Sequence, residues 1–292
     1  MGDWLAAPVR EFTVSDPKAG PYALTEGPDG ALWFTLVHEG AIGRRSASGE
    51  LSVYRVGAGP TVIAPGPDGA LWFSEFKSHR IGRIAADGTA TSFAPASPEG
   101  GPFGIAAGPD GALWFTLITA GKVGRITAEG AVTEYDAPGA TPSAIVAGPD
   151  GAMWFTLNQG NAIGRITMDG ETVSYPLPTE GAAPVGIAVG PDGALWFTEI
   201  GAGRIGRITV AGEITEFELP NAAARPHAVV AGPDGALWFT EWGSGRIGRI
   251  TPAGEVSSYA LSDPDSEPHG IAVHQGAVWC ALETGALARI AP

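Results

Sequence analysis

The chain has 292 residues, including 44 glycines, 25 prolines and one cysteine, and its formal net charge is −14. The acidic balance argues against a nucleic-acid-binding protein, which needs a basic surface, and a single cysteine excludes a disulfide framework. Hydrophobic residues make up 44% of the chain, which is enough for a large core.

The first segment, MGDWLAAPVREF, lacks the basic stretch and the long apolar run of a signal peptide. No apolar stretch in the chain approaches the ~20 residues of a membrane-spanning helix. We therefore expect a cytoplasmic protein that has neither a membrane nor a nucleic acid as a partner. A short β-like run, EFTV at residues 11–14, precedes the first repeat.

The rest of the chain is a sevenfold repeat centred on a tryptophan. The spacings between successive copies are 39, 42, 40, 42, 42 and 41 residues, and the tryptophans are Trp33, Trp72, Trp114, Trp154, Trp196, Trp238 and Trp279. Each unit contains four short β-like runs, called a to d here. In residues 214–250 they read ITEFEL (d), HAVVAG (a), ALWFTE (b) and RIGRI (c), and the a–b connection is the turn GPDG.

Seven four-stranded units of about 40 residues predict an all-β fold, a seven-bladed β-propeller. The chain begins with a d-type run and ends after a c-type run, ALARI. The N-terminal strand should therefore complete the seventh blade beside the C-terminal strands. We predict a single domain over residues 1–292, and we expect a monomer because a closed ring leaves no sheet edge that needs a partner.

Residues that recur in every unit are expected to be structural. The tryptophans should pack blade against blade, and the aspartates of the six GPDG turns should stabilise those turns. Cys280 takes the place of phenylalanine in the seventh WF pair, and we expect it to be a buried apolar thiol.

Function is expected where the units differ. Each a strand, which should line the central channel, is entered through a proline, and the next residue should lie at the channel mouth. Those seven residues are Tyr22, Thr61, Phe103, Ser143, Val185, His227 and His269. The residue before the proline is charged in two units, as Arg225 and Glu267. Blades 6 and 7 therefore carry the mouth histidines, and ring closure places Tyr22 of blade 1 beside them.

Glu283 ends strand b of the seventh unit on the same face of the ring as Glu267. We expect Glu267, His269 and Glu283 to converge, flanked by His227 and Tyr22. Two carboxylates favour Mg²⁺ over zinc, and a neighbouring imidazole suits a general base. The alternative is that these are solvated polar residues of a channel mouth. We interpret His79 and His274 as solvated surface residues.

At these positions the chain resembles the virginiamycin B lyase family, whose members inactivate type B streptogramin antibiotics. The resemblance covers essentially the whole chain, and its most specific motifs are GPYAL, ARPHAVVAGPDGALWFTEWGSGRIGRI and EPHGIAV…VWCALE. It implies a seven-bladed propeller and a carbon–oxygen lyase that opens a cyclic depsipeptide by elimination at a threonyl ester bond, without water.

The resemblance also implies roles for individual residues. His269 would be the general base, Glu267 and Glu283 would hold Mg²⁺, and His227 and Tyr22 would contact the substrate. Phe103 and Trp242, the latter in the TEWGSG connection, are candidate apolar walls for a ring-shaped, small-molecule depsipeptide.

Two other functions remain open. A lactone hydrolase on this scaffold would assemble metal ligands, asparagine and aspartate among them, across the channel, yet the asparagines of interest, Asn158 and Asn161, both belong to blade 4. A non-catalytic propeller that binds peptide or glycan would tolerate substitution of the glutamates and histidines.

Overall fold

The computed structural model describes Trp4, residues 7–57 and residues 59–291, so the predicted domain ends at residues 1 and 292 lie outside the described residues. Seven four-stranded antiparallel sheets make up this part of the chain. The predicted all-β, seven-bladed propeller is confirmed. None of the helical segments described is long and apolar enough to cross a membrane.

The chain starts with β1 (Val9–Thr13) and then forms the blades in order. Blade 1 contains β2 (Pro21–Glu26), β3 (Leu32–Leu36), β4 (Ala41–Arg45) and β5 (Leu51–Arg55). Blade 2 contains β6 (Pro60–Pro65), β7 (Leu71–Glu75), β8 (Arg80–Ile84) and β9 (Ala90–Phe93). Blade 3 contains β10 (Pro102–Ala107), β11 (Leu113–Leu117), β12 (Lys122–Ile126) and β13 (Val132–Asp136).

Blade 4 contains β14 (Pro142–Ala147), β15 (Met153–Leu157), β16 (Ala162–Ile166) and β17 (Thr172–Pro176). Blade 5 contains β18 (Pro184–Val189), β19 (Leu195–Glu199), β20 (Arg204–Ile208) and β21 (Ile214–Glu218). Blade 6 contains β22 (Pro226–Ala231), β23 (Leu237–Glu241), β24 (Arg246–Ile250) and β25 (Val256–Ala260), with a 3-10 turn at Trp242–Ser244. Blade 7 contains β26 (Pro268–His274), β27 (Ala277–Leu282) and β28 (Ala286–Ile290).

The N-terminal strand completes blade 7, as the sequence predicts. β1 pairs antiparallel with β28, and Val9 lies opposite Ile290 in that ladder. Each innermost strand contacts the innermost strand of the next blade, and β26 contacts β2. The ring therefore closes at a seam between blade 7 and blade 1, and both ends of the described chain are tied into one sheet.

The six GPDG turns have a larger role than turn formation alone. In blade 1, Oδ1 of Asp29 accepts a hydrogen bond from the indole N–H of Trp33, and Oδ2 accepts one from Arg44. The same three-residue contact recurs through blade 6, where Asp234 accepts from Trp238 and Arg249. The turn, the buried tryptophan and the repeat arginine are therefore one unit that fixes strand b against strand c.

Blade 7 differs from the other blades in the phenylalanine–glycine pair of strands b and c, where two substitutions compensate for each other. Phe34 of blade 1 packs directly on Gly43, where an added Cβ would lie 2.2 Å from the ring, and blades 2 to 6 repeat that pair. In blade 7 the pair is Cys280 opposite Ala288, both fully buried. The smaller side chain on one strand thus makes room for the larger one on the other. The predicted burial of the Cys280 thiol is confirmed, and burial raises the pKa of that thiol.

A bulge follows the proline of every innermost strand, and in blades 1 to 6 a hydroxyl on strand b accepts a hydrogen bond from the bulged backbone. In β22 the regular pairing shifts between Pro226 and Val229, and the N–H of Ala228 is satisfied by Oγ1 of Thr240. The same hydroxyl donates to the carbonyl of His269 in the next blade at 2.8 Å. Since a bulge re-aims the neighbouring side chain, this arrangement fixes which residue points into the channel mouth.

Candidate active site

The residue before each entry proline has a left-handed backbone. Its φ is +66° at Gly20, +70° at Gly59 and +64° at Gly101, where glycine adopts it without steric cost. Arg225 and Glu267 adopt φ of +50° and +47° despite their side chains. A left-handed non-glycine residue costs about 1–2 kcal/mol, so blades 6 and 7 retain two charged side chains at this position at the expense of stability.

Glu267, His269 and Glu283 converge as the sequence predicts. Their candidate ligand atoms all lie within 4.8 Å of one another. Nε2 of His269 is 2.9 Å from Oε2 of Glu283, and the His269 side chain is only 11% exposed. The backbone N–H of Glu283 donates to the carbonyls of Ser266 and Glu267, which holds the end of β27 against the entry to β26.

The two carboxyl groups share a hydrogen bond and have opposite pKa shifts. The hydrogen bond with Glu283, then slight desolvation and the charge of Glu283, raise the pKa of Glu267, which is otherwise exposed. Burial raises the pKa of Glu283, but hydrogen bonds with Glu267, His38 and His269 outweigh it and lower that pKa to about 2. Glu283 is therefore ionised at neutral pH, next to a carboxyl group that retains its proton more readily than usual.

The mouth aromatics surround the imidazole of His269. The ring of Tyr22 is 4.5 Å from it and that of His227 is 4.9 Å away, measured between ring centroids. Burial lowers the pKa of His269, although the neighbouring Glu283 opposes the shift. Burial and the nearby His269 also lower the pKa of His227, while burial and the charge of Glu283 raise that of Tyr22. All three rings are therefore neutral at pH 7.

Two depressions flank this cluster on the same face. The apolar one, called the trough here, has a volume of about 220 Å³ and is lined in part by Phe103, Tyr22 and Phe76. The polar one measures about 180 Å³ and is lined by Trp242, Arg225 and Glu267 among others. The Trp242 ring lies 6.2 Å from that of His269, and Phe103 lies 6.3 Å from Tyr22. All seven predicted site residues thus lie at one end of the channel.

Below the mouth the channel itself is apolar. A cavity of about 210 Å³ is bounded by Tyr22, Phe103 and His227 and by alanine, valine and isoleucine residues of the innermost strands. None of the described residues that line it is charged. The charged residues of the cluster therefore lie at the mouth and not in this cavity.

Sequence reasoning missed one contact of the cluster. His38, in the b–c connection of blade 1, places Nε2 2.8 Å from Oε1 of Glu283. The two residues are 245 positions apart. The available signal was the position of His38 on the mouth side of blade 1, which follows blade 7 in the closed ring.

The prediction that His274 is solvated is wrong. His274 is 4% exposed, and Nδ1 contacts Oε2 of Glu26 at 2.8 Å on the opposite face of the ring. The turn HQG is shorter than GPDG, so β26 continues through His274 and turns its side chain towards Trp279. His79 is half-buried rather than fully solvated.

Comparison with known proteins identifies the family of this chain. The sequence model described as the virginiamycin B lyase family matches residues 7–290. The chain belongs to this family. Virginiamycin B lyase of Streptomyces coelicolor is 74% identical over 135 residues, a match that covers 46% of this chain and only 45% of that relative.

Solved structures of the virginiamycin B lyase family match over nearly the full length. A streptogramin B lyase superposes with a TM-score of 0.94 and 40% identity, over 99% of each chain. A catalytically inactive histidine-to-alanine variant of virginiamycin B lyase from Staphylococcus aureus, solved with quinupristin, also has a TM-score of 0.94, with 39% identity over 98% of this chain and 99% of that one.

Proposed function

We propose that this protein is a Mg²⁺-dependent carbon–oxygen lyase that linearises type B streptogramins by elimination at the threonyl ester bond, and so inactivates these antibiotics. The observation that carries the proposal is the contact of Glu283 with the buried imidazole of His269 beside Glu267, at the mouth of a channel cavity whose described lining carries no charged residue. The family membership and the relative solved with quinupristin support the substrate class.

His269 is the proposed general base. Burial lowers the pKa of its imidazole, so the ring is neutral and able to accept a proton at pH 7. The proton comes from Cα of the threonyl unit. The electron pair left on Cα forms the Cα–Cβ double bond, and the Cβ–O bond breaks with its pair on the departing carboxylate. Glu283 contacts the same imidazole and stabilises the imidazolium that results.

Glu267 and Glu283 are the proposed holders of Mg²⁺. Two carboxyl groups that share a hydrogen bond and repel each other when both are ionised form a donor set that a divalent cation stabilises. Both groups offer hard oxygen ligands, so the residues present fit this ion. When bound, Mg²⁺ supplies positive charge that stabilises negative charge developing on the carbonyl oxygen.

The trough and the polar depression suit the two sides of a cyclic depsipeptide. Tyr22 and Phe103 offer apolar ring faces towards blades 1 to 3, where side chains of the macrocycle would lie. Trp242 and His227 bound the other side of the cluster. This arrangement would orient the ester bond above His269.

The proposal is tested by following intact quinupristin in the presence of the purified protein and Mg²⁺. We expect steady loss of the cyclic form, abolished by chelation and restored by added Mg²⁺. His269→Ala should lower kcat by about 10²–10⁴-fold, the range expected for a general base. The matched control is His79→Asn, in the b–c connection of blade 2, where the residue has a φ of +57° that asparagine tolerates. Loss of quinupristin that continues with His269→Ala would overturn the proposal.

A further inference from the structure

His38 contacts the free oxygen of Glu283 across the seam where the ring closes. Oε2 of Glu283 is held by His269 at 2.9 Å, and Oε1 is 2.8 Å from Nε2 of His38. A carboxylate oxygen accepts hydrogen bonds, so the tautomer of His38 that is protonated on Nε2 donates to Oε1 of Glu283. Both oxygens of a single carboxylate are therefore oriented by imidazoles from two different blades.

The backbone fixes His38 although 48% of its side chain is exposed. The N–H of His38 donates to the carbonyl of Ala19 at 3.0 Å, and the N–H of Val37 donates to that of Gly20 at the same distance. A Cβ on Gly20 would lie 2.5 Å from the imidazole of His38. The His38 ring can occupy this position only because residue 20 has no side chain.

The residue before the entry proline and the facing residue of the b–c connection differ in size from blade to blade. In blades 2 and 3 the connection residues Lys77 and Thr119 lie over Gly59 and Gly101, as His38 lies over Gly20. In blade 6 the relation is reversed, because Gly243 leaves room for the long side chain of Arg225. Blade 7 follows blade 6, with Thr284 in the connection and Glu267 before the proline.

In blades 1, 2, 3 and 6, one of the two connections thus supplies a large side chain and the other a glycine. Blade 7 supplies Glu267 from one connection, and blade 1 supplies His38 from the other. Both side chains contact Glu283, from the two sides of the seam.

We propose that His38 is a positioning residue for Glu283, which orients this carboxylate for a divalent cation so that the metal site is completed by blade 1 across the seam. The inference rests on the proposed function, in which Glu267 and Glu283 hold the ion. Partners that orient a ligating carboxylate typically contribute about 10–100-fold to metal affinity.

The test measures binding of Mn²⁺ alone, as a paramagnetic probe for the Mg²⁺ site, by electron paramagnetic resonance on the full-length protein. We expect His38→Ala to weaken Mn²⁺ binding by about tenfold or more, with an unchanged melting temperature because the ring is half exposed. His38→Gln, which retains an N–H donor, should recover part of that loss. Thr119→Ala, at the equivalent position of blade 3, should bind Mn²⁺ as the unaltered protein does.

A second variant separates the position of the ring from its chemistry. Gly20→Ala keeps His38 but pushes its ring off Glu283, and the backbone tolerates alanine because Ala183 adopts φ of +49° at the equivalent position of blade 5. It should weaken Mn²⁺ binding as His38→Ala does. Gly101→Ala, in blade 3, is equally crowded, with Thr119 2.6 Å from the added Cβ, and should have no effect on Mn²⁺ binding.

The outcomes distinguish this inference from the proposed function. Unchanged Mn²⁺ affinity in both His38→Ala and Gly20→Ala would overturn the role of His38 and leave the lyase proposal intact. An unaltered protein that binds no Mn²⁺ would overturn both the metal site and this inference.

Discussion

Nε2 of His269 lies 2.9 Å from Oε2 of Glu283, and this contact joins the proposed base to the proposed metal ligand. One carboxylate therefore has two tasks, and its charge matters for both. Replacing that carboxylate by a neutral amide of nearly the same shape separates charge from packing.

We predict that Glu283→Gln lowers kcat for a type B streptogramin by about 100-fold or more, because the amide neither stabilises the imidazolium of His269 nor holds the ion well. Steady-state kinetics with saturating Mg²⁺ measure this loss. The control is Glu26→Gln. Glu26 contacts His274 across the same seam, but on the opposite face of the ring. Equal losses in the two variants would contradict a specific role for Glu283.

Thr240 is predicted to affect catalysis without touching the substrate. Its hydroxyl donates to the carbonyl of His269, whereas Thr116 makes the equivalent bond to Ser143 in blades that carry no proposed catalytic group. Thr240→Val and Thr116→Val should each cost about 1–3 kcal/mol of unfolding free energy. Only Thr240→Val should also lower kcat, by about tenfold, because a small misplacement of the base is costly.

Urea denaturation and steady-state kinetics on both variants check that prediction. A fall in kcat that is the same in Thr116→Val and Thr240→Val would show that the hydroxyls act only through general stability.

The Cys280–Ala288 pair is predicted to be energetically coupled. Cys280→Phe alone would force a ring onto the Cβ of Ala288, which should destabilise the protein by about 1–3 kcal/mol. Adding Ala288→Gly recreates the Phe–Gly pair of the other six blades and should recover most of that loss. A double-mutant cycle from urea denaturation measures the coupling. Additive effects of the two substitutions would contradict the compensation.

Glu199 is predicted to make stability depend on pH. It is fully buried in blade 5, and neither oxygen receives a hydrogen bond. The equivalent Glu241 of blade 6 accepts from Ser244 and Ser258, whereas Glu199 has Glu216 in place of the second serine. Burial and the adjacent Glu216 raise the pKa of Glu199 to about 8.

The unfolded chain loses the proton of Glu199 near the ordinary value of 4.5, while the folded protein keeps it until about pH 8. The contribution of Glu199 to the unfolding free energy should therefore be fully present below pH 4.5 and should be lost as the pH rises to 8. Glu199→Gln should reduce that fall and stabilise the protein at pH 8.5 by on the order of 2 kcal/mol. Parallel stability curves for variant and unaltered protein between pH 5 and 8.5 would contradict this.

The fold could be predicted from the sequence because each blade repeats one pattern of strands and turns. The seven regularly spaced tryptophans, from Trp33 to Trp279, predict the number of blades. The d-type run at residues 11–14 predicts that the N-terminal strand closes the ring in blade 7. The directions of strands a and b also follow from this pattern, which is why the sequence alone predicts that Glu267, His269 and Glu283 converge.

Other contacts could not be predicted, because they depend on how the connections fold. The approach of His38 to Glu283 requires the left-handed backbone at Gly20. The repeat pattern does not show which of the two connections of a blade places a large side chain at the channel mouth. The burial of His274 likewise follows from one missing turn residue, which lets β26 continue further than the innermost strands of the other blades.

The most direct test of the proposed elimination is the mass of the product formed from quinupristin in water enriched in oxygen-18. The account predicts a linear product of unchanged mass that carries no oxygen-18 and absorbs as a dehydroamino acid, since the atoms of the substrate are only redistributed. A product heavier by one molecule of labelled water would contradict elimination and show that the ester is hydrolysed.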